Sequence, residues 1–449
     1  MTNVSDFIDD KYKEYAYYVL NNRAIPSIRD GLKPVQRRIL WTGKNYASDP
    51  VKVSNLAGAC LKIHPHGDTA LASAISNMAQ DFCGANNHPL LEGKGAFGGK
   101  VMGSGNGIGA PRYVSVKINK FSKNVIFKDF DLVNEIPNYD GEYTEAENFL
   151  PLIPIVLLNG IQGIAVGFAC EIQPYNLKTI VEIQKDILSD KKITSNLIPY
   201  YKGFNGKISW DLEKEKFCSA GIFKREGDFL RITELPIGYT CESYLKILDT
   251  LLEKDKIKDY VSDSKKEFDF KIYFKTRKIL QEMSDNDISN MFKLSAYLNE
   301  NLTLLDVDNK LKIYTNPLDI LKDFTSWRFS FFKKRYEKFK EKLLKENASK
   351  KELLKFIIFI LKNDYLNKMS KQSSKETRKD LEDSGFVEID YLMSIGVSSF
   401  NKDKLVILKE QIEENDKKIS EFVEIINSEK KQKEIYIKEL NELLKEFGE

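Results

Sequence analysis

Residues Gly93 to Tyr113 read GKGAFGGKVMGSGNGIGAPRY. A run this dense in glycine lets backbone amides approach a phosphate closely, because no side chain stands in the way. It ends on Arg112 beside Tyr113. A tyrosine oxygen becomes a nucleophile where its surroundings favour the phenolate, and a neighbouring guanidinium holds a phosphate bidentately. Together these features point to phosphoryl transfer onto tyrosine. Tyr113 is one of 21 tyrosines, and most tyrosines fill space, so the surrounding sequence has to decide.

Other phosphate binders fit the run poorly. Gly93, Gly95 and Gly98 match a dinucleotide fingerprint, but no apolar strand precedes them and more glycines follow instead of a helix. A P-loop ending on Gly99 and Lys100 needs glycine at position 94, which is lysine, and Ser or Thr at position 101, which is valine. A metal set is equally hard to assemble. His64, His66 and His88 are the only histidines, and Cys60, Cys83, Cys170, Cys218 and Cys241 form no C-x-x-C pair. Asp129-x-Asp131 and Asp306-x-Asp308 lack a third acid and a glycine and read as solvated carboxylates. No metal site is expected in this chain.

Moving outward, 449 residues imply about three domains, and a hydrophobic content of 42% supplies their cores. Five scattered cysteines suit a reducing compartment. No stretch approaches the ~20 apolar residues of a membrane span, and the acidic start MTNVSDFIDDKYK lacks a signal-peptide core, so a soluble, cytoplasmic protein is expected. The net charge of +3 hides a polarised chain. Between Lys11 and Lys128, 17 Lys/Arg stand against 6 Asp/Glu, a local +11, whereas Asp129 to Phe149 carries seven acids and no base. Such a basic block is the footprint of a nucleic-acid-binding surface. Solvated surface lysines are the plain alternative.

Along the chain, residues 5–21 have the apolar spacing of an amphipathic helix, with Ile8, Tyr12, Tyr15 and Val19 on one stripe. A second helix is expected over Asp30 to Tyr46 with Pro34 in its first turn, and Lys33, Arg37 and Arg38 away from its apolar side. A third starts near Asp68 as N-cap and buries Leu71, Ile75, Met78 and Phe82. His64, His66 and Gly67 lie at its N-terminus, where free amides and the dipole favour a phosphate. Two helices followed by the strand-like VSVKI (Val114 to Ile118) fit a winged helix-turn-helix. After Asn159 the chain turns to mixed α/β, with strand-like runs KISW, FLRITEL, FDFKIYF and KLKIYT. From Trp327 two heptad-patterned helices imply an antiparallel hairpin, whose insert Thr377 to Phe400 carries the apolar run YLMSIGV, a self-association patch.

Four blocks in order, RAIPSIRDGLKPVQRRIL (Arg23 to Leu40), IHPHGD (Ile63 to Asp68), APRY (Ala110 to Tyr113) and NGIQGIAVGF (Asn159 to Phe168), resemble the DNA-cleavage subunit of type IIA topoisomerases. That group holds the gyrase A chain and the C-terminal half of the eukaryotic enzyme, and this chain looks most like the medium subunit of T-even-type phage topoisomerases. The resemblance is sharp over roughly residues 5–180 and architectural beyond. It implies a multidomain α+β fold: an arm helix (1–22), a CAP-like winged-helix domain (23–158), an α/β tower (159–326) and a coiled-coil stalk (327–449) with a helical dimerisation tip near 365–403.

The same resemblance implies that Tyr113 attacks a DNA phosphodiester, that Arg112 neutralises the charge developing there, that Arg23 is a second catalytic arginine, and that His66 lies near the scissile phosphate. Lys33, Arg37, Arg38 and His64 would position the backbone, with Gly67 and Thr69 also facing DNA. Gln36 replaces a histidine common in bacterial homologues and takes no catalytic role. Ile164 would wedge between base pairs; without the resemblance it reads as a core isoleucine. An unperturbed tyrosine, titrating near ~10, is a poor nucleophile at neutral pH. The implied help comes from a partner subunit whose Toprim and ATPase domains hold Mg²⁺ and ATP. The implied assembly is a homodimer, joined through the winged-helix domain and the C-gate tip, on double-stranded DNA. Relaxation and decatenation are expected rather than supercoiling. A non-catalytic DNA-binding architectural protein is the alternative.

Overall fold

The computed structural model describes residues 11–12, 14–15, 18–165, 167–363 and 365–448. The arm helix expected over 5–21 lies largely outside them, and the described residues continue through a widened helical turn, Leu20–Ala24. Two compact units emerge: Met1–Arg328 with Ile437–Glu449, and Phe329–Tyr436.

In the larger unit, α1 (Pro34–Tyr46) starts where proline fits best, at the first helical position, and buries Ile39 and Leu40. It starts four residues later than expected, because Asp30 is spent on other work: its buried carboxylate accepts from the Arg37 guanidinium and from the amides of Leu32 and Phe149. A helix that the sequence pattern did not announce, α2 (Val53–Cys60), follows and buries Val53, Leu56, Ala57 and Cys60. Its eight residues include Gly58 and give too short an apolar period to register. The next helix, α3 (Asp68–Met78), buries Leu71, Ile75 and Met78 and is capped by Gly67, with Asp68 inside its first turn. Phe82 lies beyond its end. Against these helices packs a three-stranded antiparallel sheet of β1 (Val51–Lys52), β5 (Ser115–Ile118) and β2 (Leu91–Lys94), in the order β1-β5-β2, with Val51 opposite Val116 and Leu91 opposite Ile118. The glycine run is not an open loop. Most of it is an antiparallel ribbon of β3 (Phe97–Gly99) and β4 (Gly103–Ile108).

The rest of this unit carries two small antiparallel sheets. One orders the strands Lys207–Asp211, Lys216–Ala220 and Ser295–Leu298; the other orders Ile222–Glu226, Phe229–Glu234, Phe270–Tyr273 and Asp259–Ser262. Leu230, Ile232, Tyr244, Phe270, Ile272 and Phe292 form the core of the second. Asp129 is not solvated, as its isolation in the sequence suggested. It is buried and ion-paired with the fully buried Arg328, which also donates to Pro151 O at 3.0 Å. The terminal residues expected in the stalk pack on this unit instead: Phe447 meets Phe121 edge-on at 5.3 Å, and Glu446 pairs with Lys120 at 2.6 Å.

In the smaller unit, the helix Pro317–Asn363, which begins before the unit boundary, runs beside Lys402–Ile426. Tyr336 meets Phe422 at 5.5 Å, and Asn347 donates to Asp416 at 2.7 Å. Short helices Ser374–Asp383 and Ile389–Met393 close the far end over Phe356, Leu381, Phe386 and Leu392. The run YLMSIGV is therefore divided: Leu392 is fully buried, while Tyr391 and Val397 face outward.

Candidate functional site

Tyr113 sits on a tight turn, Pro111–Tyr113, that three consecutive residues hold from below. Lys52 Nζ donates to Tyr113 O at 2.9 Å, Val53 N to Val114 O at 3.1 Å, and Ser54 N to Pro111 O at 3.2 Å. The last two are amides at the start of α2, whose first turn has no intrahelical acceptor for them. The one helix without a clear sequence signal thus fixes the turn that carries the clearest one. The tyrosine ring is 68% exposed, and the Arg112 guanidinium carbon lies 4.8 Å from its centroid, a cation–π contact. The Tyr113 hydroxyl makes no hydrogen bond among the described residues.

A second cluster joins four of the expected residues. Arg23 Nη2 lies 3.0 Å from His66 Nδ1, the His64 and His66 rings meet edge-on at 4.8 Å, and Arg38 Nη1 lies 3.2 Å from His64 Nδ1. Burial foremost, then the charges of Arg38, His66 and Arg23, pushes His64 down to about 4. His66 is also held below the usual histidine range, by burial and then by Arg23 and Arg38. Both imidazoles are neutral at pH 7, able to donate one hydrogen bond each without adding charge. No direct contact joins this cluster to Tyr113 among the described residues.

Arg37 and Arg38 are not the free basic surface expected. Arg37 forks onto Asp30 at 2.6 and 2.8 Å, and Arg38 forks onto both oxygens of Glu145. Glu145 and Glu147, which pairs with Arg29 at 2.7 Å, come from the base-free stretch that follows the basic block. Two oppositely charged stretches next to each other in sequence were the available signal. Gly67 and Thr69 are exposed at the start of α3. The Thr69 amide, expected to be free for an anion, already donates to Asp68 Oδ1 at 2.8 Å.

Ile164 ends the strand Ile161–Ile164, which pairs with Ala169–Ile172 in a hairpin. At 81% exposure it is no core isoleucine. The hairpin seats on the segment carrying Arg23, because a Cβ on Gly163 would fall 2.2 Å from Ala24 O. Lys33 Nζ donates to Gln162 O at 2.6 Å, and burial lowers its pKa, with Cys170 opposing. Arg23, Lys33 and Ile164 are therefore brought into one neighbourhood. No group of three His, Cys, Asp or Glu side chains able to hold a metal ion occurs among the described residues. The donor set does not suit a divalent cation held by this chain alone.

A family model for the cleavage chain of DNA gyrase and topoisomerase IV (the gyrase A chain and its topoisomerase IV counterpart) matches residues 23–441. The chain belongs to this family. Other members lie at similar distance: the mitochondrial DNA topoisomerase 2 of Dictyostelium discoideum is 30% identical over 95% of this chain and 34% of its own length. The DNA topoisomerase 2 of Plasmodium falciparum is 32% identical over 85% of this chain and 28% of its own. The chain thus spans about a third of the curated relatives it matches. The crystal structure of the DNA-binding, cleavage and re-ligation domain of Plasmodium falciparum topoisomerase II superposes with a TM-score of 0.88 at 28% identity. That match covers 98% of this chain and 64% of the other. Membership extends the resemblance seen in four short blocks to nearly the whole chain. No described helix is long and apolar enough to cross a membrane.

Proposed function

We propose that this chain is the DNA-breakage-reunion subunit of an ATP-dependent type II topoisomerase, with Tyr113 as nucleophile. The observation that carries the reading is an exposed tyrosine stacked on Arg112, on a turn pinned by Lys52, Val53 and Ser54. Tyr113 Oη forms a bond to phosphorus as the bond from phosphorus to the 3′ oxygen breaks. The tyrosine proton leaves to solvent, the 3′ oxygen takes one up, and a 5′-phosphotyrosyl link remains. Religation reverses each change, so no bond energy is lost. Arg112 opposes the negative charge gathering on the phosphorane, a term worth several kcal/mol at such sites. Arg23 and neutral His66 donate to non-bridging oxygens, while Lys33 and His64 position the backbone. Gly67 and Thr69 face the duplex at the start of α3. Arg37 and Arg38 support α1 through Asp30 and Glu145 and take a share of phosphate only through their remaining donors.

Ile164 is proposed to insert between base pairs, since an exposed apolar tip on a seated hairpin suits unstacking of a base step. The finer architecture follows the same reading: a CAP-like winged helix, a tower, and a coiled-coil stalk with a C-gate tip that dimerises. Two copies cut the two strands of one duplex so that a second passes. The T-even-type phage subunit remains the proposed nearest type, acting in the host cytoplasm. Mg²⁺ and ATP are assigned to a partner subunit bearing Toprim and ATPase domains. The cation would supply charge stabilisation at the leaving oxygen, and ATP hydrolysis the drive for opening.

The test is Tyr113→Phe assayed with the partner subunit, Mg²⁺ and labelled duplex. Covalent adducts should vanish while duplex affinity holds. Adducts that persist refute the assignment. A preparation of the unaltered chain that binds duplex with its partner yet never forms adducts favours the architectural alternative.

A further inference from the structure

The turn that joins β3 to β4, Lys100 to Met102, is unlike an ordinary hairpin tip. Such tips face water. Here Val101 is 7% exposed and belongs to the core of Leu230, Ile232, Tyr244 and Phe270, about 130 residues and more further along the chain. Its carbonyl accepts from the amide of Cys241 at 2.9 Å, at the start of the helix Cys241–Glu253. Lys100 is held as firmly. Its Nζ donates to Glu234 and Glu267, each at 2.7 Å, and to Gly203 O at 3.2 Å. Glu234 is 1% exposed, so Lys100 is the cation that makes its burial tolerable. Burial alone would lower the Lys100 pKa, but the two carboxylates more than offset that and raise it. Gly103 closes the fit: with φ +78, it allows an approach in which a Cβ would meet Thr240 Cγ2 at 2.6 Å.

The other end of the same ribbon leads to the nucleophile. β4 ends at Ile108, and the Pro111–Tyr113 turn begins three residues later. Between these ends the ribbon has almost no side chains to pack, and most of Gly103–Ile108 is exposed. Its placement is therefore set by what grips its tip and its base. The base is gripped by the amides of α2, and the tip by a different core.

We propose that Lys100 and Val101 are positioning residues for Tyr113: the tip anchors the ribbon in the 230–294 core, so the setting of that core fixes where the tyrosine hydroxyl meets the scissile phosphate. This rests on the reading of Tyr113 as nucleophile. Neither side chain touches the reacting atoms. Their effect belongs in the cleavage step and not in duplex affinity.

The experiment uses the chain assembled with its partner subunit, a fluorescently labelled linear duplex and Mg²⁺. It compares Lys100→Met/Glu234→Gln, which removes both charges together, with Lys100→Arg. The double variant should cleave about 10-fold or more slowly while its duplex Kd stays within about twofold, because displacement of an attacking group by an ångström costs rate on that scale. Lys100→Arg, able to fork onto both carboxylates, should restore cleavage. Normal cleavage in the folded double variant overturns the proposal, and so does a parallel loss of affinity and cleavage. If that variant does not fold, Val101→Ala, which buries no charge, is judged by the same two criteria. Tyr113→Phe runs alongside: adducts from it overturn the nucleophile reading itself. Adducts absent there, with normal cleavage in the tip variants, overturn only the anchor.

Discussion

Replacing His64 by glutamine should flatten the acid side of the stability profile. His64 is 5% exposed, lies 3.2 Å from an Arg38 nitrogen, and is pushed down to about 4 by burial and then by Arg38, His66 and Arg23. In the unfolded chain a histidine titrates near ~6.5. Between those values the unfolded state binds a proton that the folded state does not. The contribution is therefore complete above ~6.5 and is lost as pH falls toward the folded value. Linkage between the two values sets the loss at about 2 kcal/mol by pH 5, with a ceiling of about 3 kcal/mol. Urea unfolding followed by intrinsic fluorescence, at about pH 7.5 and about pH 5, measures it for both proteins. The fall in the unaltered chain should exceed that in His64→Gln by about 2 kcal/mol. His66, held down in the same direction, leaves the variant a residual slope. Identical pH dependence in the two proteins would refute the burial and charge argument.

Three further outcomes follow from the packing. Arg328→Met strands the buried Asp129 carboxylate and should cost about 3–5 kcal/mol in urea unfolding, whereas removing both charges should recover most of that; a single-variant loss below about 1 kcal/mol contradicts it. Gly163→Ala places a Cβ 2.2 Å from Ala24 O, so the hairpin must shift at a cost of about 1–3 kcal/mol, read as a lower melting temperature; an unchanged melt would mean the hairpin is not seated as described. Ile164→Ala, at an 81% exposed position, should leave stability within about 0.5 kcal/mol but reduce the bend of a bound, end-labelled duplex measured by energy transfer. An unaltered bend rules out the wedge.

What the sequence made legible was local. APRY, IHPHGD and the heptads of the last third each state their chemistry within a few residues, and the helices α1 and α3 show a clear apolar period. The rest depended on partners far away in the chain. The partners of Arg38 and Arg29 lie more than 100 residues on, at Glu145 and Glu147, and that of Asp129 at Arg328, 199 residues on. No window of neighbouring residues contains such a pair. Lys100 is the sharpest case: its local context invites a phosphate-binding reading, while its two carboxylates come from the next sheet and the loop beyond. The helix α2 failed for a different reason. Eight residues with glycine and three small side chains carry too weak a period, and tertiary contacts with the tyrosine turn decide its place.

Arg29, Arg37, Arg38 and Lys100 each bring their own carboxylate into the folded chain, so they hold few loosely condensed anions from solution. Duplex binding gains entropy by freeing about 0.9 small cations from DNA for each phosphate a protein neutralises. Side chains already neutralised from within do little of this. A chain with 17 basic residues between Lys11 and Lys128 should therefore lose affinity with rising salt less steeply than their number suggests. Its grip on a broken duplex would depend more on shape than on ionic strength.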